Sequence, residues 1–214
     1  MEKIKLARQK LDDGLMELQL QLSNHQIEQL LKYLQLLLKW NKFYSLTAIT
    51  DLDKMTTHHL LDGLTVINHI SSFNNVVDVG SGMGVPGVII AICCPKLRVT
   101  AVDCNQKKTA FLRQVSIELS LTNLTIVNLP VENFIPLEPF DLAISRAFAN
   151  SILFLSLVRH LFVGKVMLIA MKSKSVASEI EDIKNLERCS CNLVAVTIPG
   201  VTDERYLLKI EEKL

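Results

Sequence analysis

The segment with the clearest chemical signature is a glycine-rich turn. Gly80-Ser81-Gly82-Met83-Gly84 follows the short run Val76-Val77-Asp78-Val79, whose β-branched residues predict a buried parallel strand. Glycines let the chain turn tightly and let a ligand lie against the backbone. Asp103 ends a second predicted strand, where a carboxylate can accept hydrogen bonds from ribose hydroxyls. This order of strand, glycines, helix and carboxylate predicts a site for a cofactor that contains a nucleoside.

Two cofactor classes fit this turn. Gly82-Met83-Gly84-Val85-Pro86-Gly87 has the G-x-G-x-x-G spacing of dinucleotide sites, so a nicotinamide-dependent oxidoreductase is one interpretation. That enzyme would need a proton donor in the later half of the chain, where Tyr206 is the only tyrosine. S-adenosylmethionine is favoured because the glycines begin at Gly80 and because Asp78, inside the strand, can face a cationic amino-acid end. The helices before the strand and the paired strands at the end of the chain also favour it.

Apolar spacing predicts the elements that position these residues. Before residue 75 the chain has a helical pattern, because apolar residues recur at three- and four-residue intervals from Ile27 to Leu38. Ser23 and Gln26 form a capping box for that helix, and Asp51 can cap a further helix that continues to about Leu61. From residue 76 onward, strands and helices alternate. The predicted strands are 76–79, 98–102, 124–127, 140–144, 165–171, 193–198 and 205–210.

The link from Pro199 to Asp203 is too short for a helical crossover, so the last two strands should run antiparallel, directly or across a neighbour. We therefore predict an α/β fold of the class I S-adenosylmethionine-dependent methyltransferase type. Its Rossmann-like sheet would be mostly parallel and seven-stranded, with one antiparallel strand. The expected division is a helical N-terminal extension over 1–72 and a methyltransferase domain over 73–214.

Composition excludes several classes of protein. The formal net charge is +1, which neither demands nor excludes a nucleic-acid partner. The five cysteines, an odd number, argue against a disulfide framework. The pairs Cys189/Cys191 and His58/His59 lack the spacing of metal ligands, so we expect no metal site. No signal peptide and no apolar stretch long enough to span a bilayer is evident, so a cytoplasmic protein without membrane contact is expected.

Several segments together resemble the RsmG (GidB) family, bacterial methyltransferases of 16S ribosomal RNA. The glycine turn with its following Pro-Gly pair is similar to motif I of that family rather than to methyltransferases at large. Three further segments match over most of the chain. The four matching segments are Val77–Gly87, Trp40–Ile49, His59–Leu64 and Ile144–Ala149.

The resemblance implies methyl transfer from S-adenosylmethionine to N7 of a guanine, numbered 527 in the family, in 16S ribosomal RNA. The partner would be the 30S subunit or its precursor, and the enzyme a monomer. Arg146, after the fourth predicted strand, would be the catalytic residue and also a cofactor contact. Together with Gly82 of the turn and Asp103 at the end of the second predicted strand, the expected cofactor-binding residues are Gly80, Gly82, Val85, Asp103, Val131, Glu132 and Arg146.

Guanine N7 carries a lone pair and no proton, so direct in-line displacement would need no general base. The task of the enzyme would then be to position N7 against the methyl group. Candidate RNA contacts are Lys107, Lys108, Arg113, Arg146, Lys165, Lys172 and Arg205. Each could equally be a solvated surface charge, except Arg146, whose place after the fourth predicted strand directs it at the cleft. Trp40, Phe43 and Tyr44 could stack on bases, but anchoring of the helical extension is favoured.

Two further interpretations remain open. One is a methyltransferase that acts on a small molecule or a protein, against which only the family resemblance argues. The other is a non-catalytic RNA-binding factor that keeps the fold, although the intact glycine turn and Asp103 argue for retained cofactor binding. The chain also departs from the family pattern, with Pro130 where arginine is common and with Gly63, Cys104 and Ser173 at other positions. The proline puts one RNA or cofactor contact in question.

Overall fold

A seven-stranded sheet forms the centre of the protein in the computed structural model, which describes residues 2–146, 148, 150–173 and 176–214. The strands lie in the order 3-2-1-4-5-7-6, and all neighbouring pairs among the first five are parallel. The seventh strand runs antiparallel to both the fifth and the sixth. This topology confirms the predicted class I fold. The strands are β1 (Asn75–Val79), β2 (Arg98–Val102), β3 (Leu124–Val127), β4 (Leu142–Ser145), β5 (Lys165–Lys172), β6 (Cys189–Val196) and β7 (Arg205–Lys213).

Helices pack on both faces of the sheet. Successive strand residues point to opposite faces, and in β1 Val76 belongs to one buried cluster whereas Val77 and Val79 belong to another. The α-helices are α1 (Glu2–Glu17), α2 (Asn24–Tyr44), α3 (Leu52–Met55), α4 (Asp62–Leu64), α5 (Gly87–Cys93), α6 (Gln106–Glu118), α7 (Ser151–Val158) and α8 (Ala177–Lys184). A π-helix (Thr56–Leu61) joins α3 to α4, and short 3₁₀ helices cover Ile67–His69, Val131–Asn133 and Arg159–Leu161.

The N-terminal helices share a core with one face of the sheet. Leu30 and Leu34 of α2 lie in the same buried cluster as Val88 of α5 and Phe111 of α6. The predicted capping box is confirmed, since the Gln26 side chain accepts the Ser23 N–H at 2.9 Å while the Ser23 hydroxyl accepts the Gln26 N–H at 3.3 Å. The helices before β1 are therefore packed directly against the elements that carry the site. The division between 1–72 and 73–214 stays a prediction.

Two elements differ from the sequence expectation. The helix that Asp51 caps was predicted to continue to about residue 61, but its second half is the π-helix. β6 begins at Cys189, four residues before the predicted strand. Its residues are half-buried or exposed because β6 is the last strand of the sheet and pairs with β7 alone. A strand of that kind lacks the continuous apolar run by which the buried strands were predicted.

Candidate active site

The glycine turn connects β1 to α5 in a backbone conformation that suits glycine. Gly80, Gly82 and Gly84 have φ angles of 68°, 58° and 98°. The N–H of Gly80 donates to the Val102 carbonyl at 2.8 Å, which attaches the turn to the end of β2. A Cβ atom at Gly84 would lie 2.8 Å from the Leu112 side chain, whereas one at Gly82 would meet only a carbonyl oxygen at 3.8 Å. The protein itself therefore needs a glycine at position 84, while position 82 faces open space.

Asp78 ends in a fully buried carboxylate beneath this turn. Its Oδ2 atom accepts the N–H of Gly87 at 2.9 Å, and a Cβ at Gly87 would collide with that oxygen. Oδ1 is buried and has no hydrogen-bond partner among the described residues. Burial raises the pKa of Asp78 to about 7, against the opposing effects of the Gly87 N–H and the Arg146 guanidinium. A buried carboxylate oxygen without a partner fits the ammonium group of the expected cofactor.

Asp103 lies where the sequence predicted it, directly after β2. Its Oδ2 accepts the N–H of Gly82 at 2.9 Å, and its Oδ1 accepts the N–H of Asn105 at 2.8 Å. The Lys108 ammonium lies 3.8 Å from Oδ2. Each carboxylate oxygen keeps a second lone pair, so the group can still accept hydrogen bonds from ribose hydroxyls. Asp103 thus links the glycine turn to the second strand.

The other predicted cofactor residues lie at different depths around this edge. Val131 and Glu132 belong to the 3₁₀ helix after β3, with Val131 buried and Glu132 exposed. Pro130 precedes that helix in an extended conformation, with a ψ angle of 139°. Val85 is buried and faces Gly63 of α4. A side chain at position 63 would press on Val85 and Ile89, so the glycine lets α4 lie close to α5.

Arg146 follows β4 and reaches the N-terminal part of the chain. Its Nη1 atom donates to the Asp62 carboxylate at 2.9 Å and to the His58 carbonyl at 3.0 Å. About a quarter of the side chain is exposed. Within the part of the chain that the structure describes, these are its only hydrogen bonds, so Nε and Nη2 can still donate to a ligand. Sequence reasoning had placed Arg146 near the site but had missed its pairing with Asp62.

A buried histidine lies beside this pair. His59 Nδ1 lies 3.0 Å from the His58 carbonyl, and Nε2 lies 3.0 Å from the Thr47 hydroxyl. A carbonyl only accepts, so Nδ1 carries the proton and Nε2 accepts from Thr47. Burial, with the Arg146 charge as the next cause, lowers the pKa of His59 to about 4. The ring is therefore neutral at physiological pH.

Asn41 organises the loop that brings Thr47 to this histidine. Its side-chain amide donates to the Thr47 carbonyl at 2.9 Å and accepts the Thr47 N–H at 2.8 Å. The family-like segments around Trp40 and His59 therefore meet in space and lead to Arg146. Their resemblance to a known family was the only sequence signal for this network.

Tyr33 is a second contributor that sequence reasoning missed. This residue of α2 is fully buried, and its hydroxyl donates to the Met83 carbonyl inside the glycine turn at 2.9 Å. Burial raises the pKa of Tyr33. An apolar helix pattern predicts a core residue at this position but does not say that its hydroxyl holds a ligand-binding loop.

A cavity of about 370 Å³ opens next to Arg146. Lys172, at the end of β5, lines it and pairs with Glu179 at 3.0 Å. The Lys172 ammonium also donates to the Phe148 carbonyl at 3.1 Å, and Glu179 accepts the Ser151 N–H. This ion pair thus ties the segment after β4 to β5 and α8.

The predicted RNA contacts do not form one surface. Lys172 and Arg205 line the cavity, and Lys108 lies beside Asp103. Lys165 begins β5 and so lies at the opposite edge of the sheet. The remaining candidates, Lys107 and Arg113, are exposed on α6.

The aromatic residues at the end of α2 divide between core and surface. Trp40 packs on Phe111 with ring centroids 5.7 Å apart, as expected for an anchor of the extension, while Phe43 is 77% exposed. No group of three or more metal-ligating side chains occurs among the described residues. In the same residues, no helix combines the length and the apolar character that crossing a membrane requires.

Comparison with known proteins gives relatives over almost the whole chain. The family described as rRNA small subunit methyltransferase G (GidB) matches residues 26–208. The ribosomal RNA small subunit methyltransferase G of Methylobacillus flagellatus is 42% identical over 201 residues, which are 94% of this chain and 96% of that protein. The protein of the same name from Pseudomonas putida F1 is 43% identical over 206 residues, 96% and 95% of the two chains.

Solved structures resemble the fold at lower identity. An O-methyltransferase from Bacillus cereus in complex with SAH superposes with a TM-score of 0.59 at 17% identity, covering 85% of this chain and 91% of that one. A SAM-dependent O-methyltransferase from Thermotoga maritima gives a TM-score of 0.55 at 12% identity, covering 72% and 65%. At these identities the likeness concerns the fold alone.

Proposed function

The chain belongs to the rRNA small subunit methyltransferase G family, and from this premise we propose that it methylates N7 of a guanine in 16S ribosomal RNA. It is a methyltransferase, and its cofactor is S-adenosylmethionine. The guanine would be the one numbered 527 in the family. The proposed substrate is the 30S subunit or its precursor, met in the cytoplasm by a monomeric enzyme.

One observation carries this proposal. The carboxyl edge of the sheet carries the glycine turn, Asp103 and Arg146, and Arg146 also lines a cavity of about 370 Å³. In an open α/β sheet, ligands bind at this edge, where the strand order reverses. β1 and β4 are neighbours, and the Arg146 charge acts on the pKa of Asp78. Cofactor and substrate positions would therefore adjoin.

The residues at the turn fit the cofactor group by group. Asp103 would accept the ribose hydroxyls, and Gly80 and Gly82 would let the cofactor lie on the backbone. Asp78 Oδ1, which has no hydrogen-bond partner among the residues that the structure describes, would accept from the ammonium group. Val131 and Glu132 would border the adenine, and Val85 would supply an apolar wall. When bound, S-adenosylmethionine supplies an electrophilic methyl group.

We infer that the chain contributes position rather than proton transfer. N7 of guanine has a lone pair and no proton, so in-line displacement needs no general base. Holding two reactants in a near-attack geometry can lower a barrier by about 7–11 kcal/mol. The neutral, buried His59 is bonded at both ring nitrogens and so is not a base for the substrate. It supports the backbone carbonyl that receives Arg146.

Arg146 would hold the guanine at the transfer point. Asp62 and the His58 carbonyl fix its Nη1 atom, which leaves Nε and Nη2 to donate to an acceptor such as guanine O6. Its position near Asp78 also makes it a proposed contact of the cofactor. The product base is cationic, and the Asp62 carboxylate, which pairs with Arg146, would stabilise that charge.

Methyl transfer with a labelled cofactor tests the proposal. Small ribosomal subunits that lack the modification are incubated with the protein and with S-adenosylmethionine tritiated in its methyl group, and the digested RNA is separated into nucleosides. The expected label is in 7-methylguanosine of 16S RNA, with fully methylated subunits as the unlabelled control. Label in another nucleoside, or no label while the cofactor binds, would place the substrate elsewhere.

A further inference from the structure

The cavity beside Arg146 has walls from distant parts of the chain. The ends of β4 and β5, the start of β7 and the π-helix with α4 all contribute. β7 runs opposite to β5, and Tyr206 lies directly across from Lys172. Arg205 and Tyr206 therefore stand at the same edge as the glycine turn. The volume of about 370 Å³ is within the range of small-molecule sites.

The cations of this cavity differ in how they are neutralised. Arg146 has Asp62 at 2.9 Å, and Lys172 has Glu179 at 3.0 Å. The Arg205 side chain is only 17% exposed, yet the one carboxylate within ion-pair distance among the described residues is Asp203, at 3.8 Å and 72% exposed. A largely covered guanidinium with a distant, solvated counterion suits an anionic ligand, and its planar donors match a phosphate.

We infer that this cavity is the binding pocket of the target nucleotide, in which Arg205 holds an RNA phosphate and the Tyr206 ring borders the base. The inference rests on the proposed function and adds to it, because it assigns a pocket and a role to Arg205. Single-stranded RNA bases are commonly stacked on aromatic side chains. Arg146, a proposed contact of the cofactor, also lines the pocket, so a nucleotide held here would lie next to the cofactor.

Binding of undermethylated small ribosomal subunits tests the pocket independently of catalysis. The parent protein, Arg205→Gln, Arg205→Lys and Arg98→Gln are each saturated with S-adenosylhomocysteine, and their subunit affinity is measured over a range of salt concentrations. Arg98 is the matched control, since it is 60% exposed, pairs with Glu138 and begins β2 at the opposite edge. Affinity for S-adenosylhomocysteine should be equal in all four proteins, which shows that each variant is folded.

If Arg205 holds an RNA phosphate in this pocket, the four proteins should differ in subunit affinity and in its salt dependence. Arg205→Gln should bind subunits roughly tenfold more weakly. The slope of log affinity against log salt should fall by about one, as expected for one lost phosphate contact. Arg205→Lys should keep the slope, and Arg98→Gln should match the parent. Equal affinity and equal slope in Arg205→Gln and Arg98→Gln would overturn the inference.

A measurement of methyl transfer by the parent protein distinguishes failure of the pocket inference from failure of the proposed function. If the parent methylates RNA while Arg205→Gln behaves as the parent in binding, the pocket is wrong and the proposed function stands. If the parent binds subunits through Arg205 but transfers no methyl group, the pocket stands and the proposed function fails. If the parent does not bind subunits, both are wrong.

Discussion

Two aspartates and three glycines define the site at the residue scale. Asp103 and the glycine turn could be predicted, because each residue type is required by local geometry that a short motif records. The different surroundings of Gly82, which faces open space, and Gly84, which is packed against side chains, could not be predicted. They depend on which side chains lie opposite each Cα atom. The sequence also could not predict that Asp78 Oδ1 has no hydrogen-bond partner among the described residues. The position of Asp78 in the strand had suggested only a cationic ligand.

Gly82→Ala should abolish most cofactor binding while it loses no more stability than a matched alanine control. The added Cβ meets nothing closer than a carbonyl oxygen at 3.8 Å in the protein itself, so it would project into the space proposed for the cofactor. Calorimetry should show affinity for S-adenosylmethionine reduced by a factor of ten or more. Gly164→Ala is the control, because Gly164 also has a positive φ, of 79°, and open space around it.

Both alanine variants should lose roughly 1–2 kcal/mol in the free energy of unfolding, the cost of a left-handed conformation for a residue with a Cβ. Only the variant at position 82 should lose affinity. Equal cofactor affinity in the two variants would show that the cofactor does not approach the turn at Gly82.

Arg146→Ala should reduce kcat/KM for RNA on the order of a hundredfold, the size seen when one electrostatic donor is removed from an active site. The Arg146 side chain is partly exposed, so its removal should lower the melting temperature only slightly. The hundredfold loss of activity would then not result from unfolding. Arg98→Ala, which removes an exposed ion pair of similar length, provides the comparison. Full activity of Arg146→Ala would remove this residue from the proposed mechanism.

At the scale of elements, the N-terminal helices hold the glycine turn and Arg146 in place through hydrogen bonds. α2 holds the glycine turn through the Tyr33 hydroxyl, and the π-helix presents the His58 carbonyl to Arg146. π-helical turns often occur at functional sites. The helices were predictable from apolar spacing, but these contacts join residues 50 and 88 positions apart. No local pattern records such a pairing.

Tyr33→Phe should lower both the free energy of unfolding and the affinity for the cofactor. The Met83 carbonyl would lose its buried donor, which costs about 1–3 kcal/mol in the free energy of unfolding. Affinity for S-adenosylmethionine should fall severalfold as the turn loosens. Tyr44→Phe is the control, since Tyr44 ends the same helix and is 44% exposed. If both variants bind the cofactor as the parent does, the hydroxyl of Tyr33 serves stability alone.

At the scale of the whole molecule, the topology followed from the sequence because its central strands are buried on both faces and appear as apolar runs. The mostly parallel seven-stranded sheet and the antiparallel pairing of its last two strands agree with expectation. The start of β6 was predicted four residues too late because the strand has mixed burial and begins with polar and half-buried residues. The predicted RNA-binding cations include Lys165, but this residue begins β5 and therefore lies at the edge of the sheet opposite to the glycine turn.

Acid should remove a stabilising contribution from His59. The pKa of His59 is about 4 in the folded protein against its ordinary value of 6.5, so the unfolded chain binds the proton more readily between these values. The contribution is complete above pH 6.5 and is lost as the pH falls towards 4. Its size is roughly 3 kcal/mol from the shift.

Chemical denaturation at pH 7.5 and pH 4 can isolate this contribution by comparison with His59→Gln. Asp78, whose pKa is raised, has the opposite pH dependence, but it is present in both proteins and cancels in the difference. The advantage of the parent over His59→Gln should shrink on acidification, whereas the exposed His25→Gln control should differ from the parent equally at both pH values. A constant advantage for the parent would mean that His59 is not buried in its neutral form.

A crystal structure of the protein bound to S-adenosylhomocysteine tests the central claim most directly. The account predicts ribose hydroxyls on Asp103, the ammonium group at Asp78 and adenine beside Val131, with the sulfur directed towards the cavity at Arg146. A cofactor bound at another edge of the sheet, or with its sulfur turned away from Arg146, would contradict the proposed site.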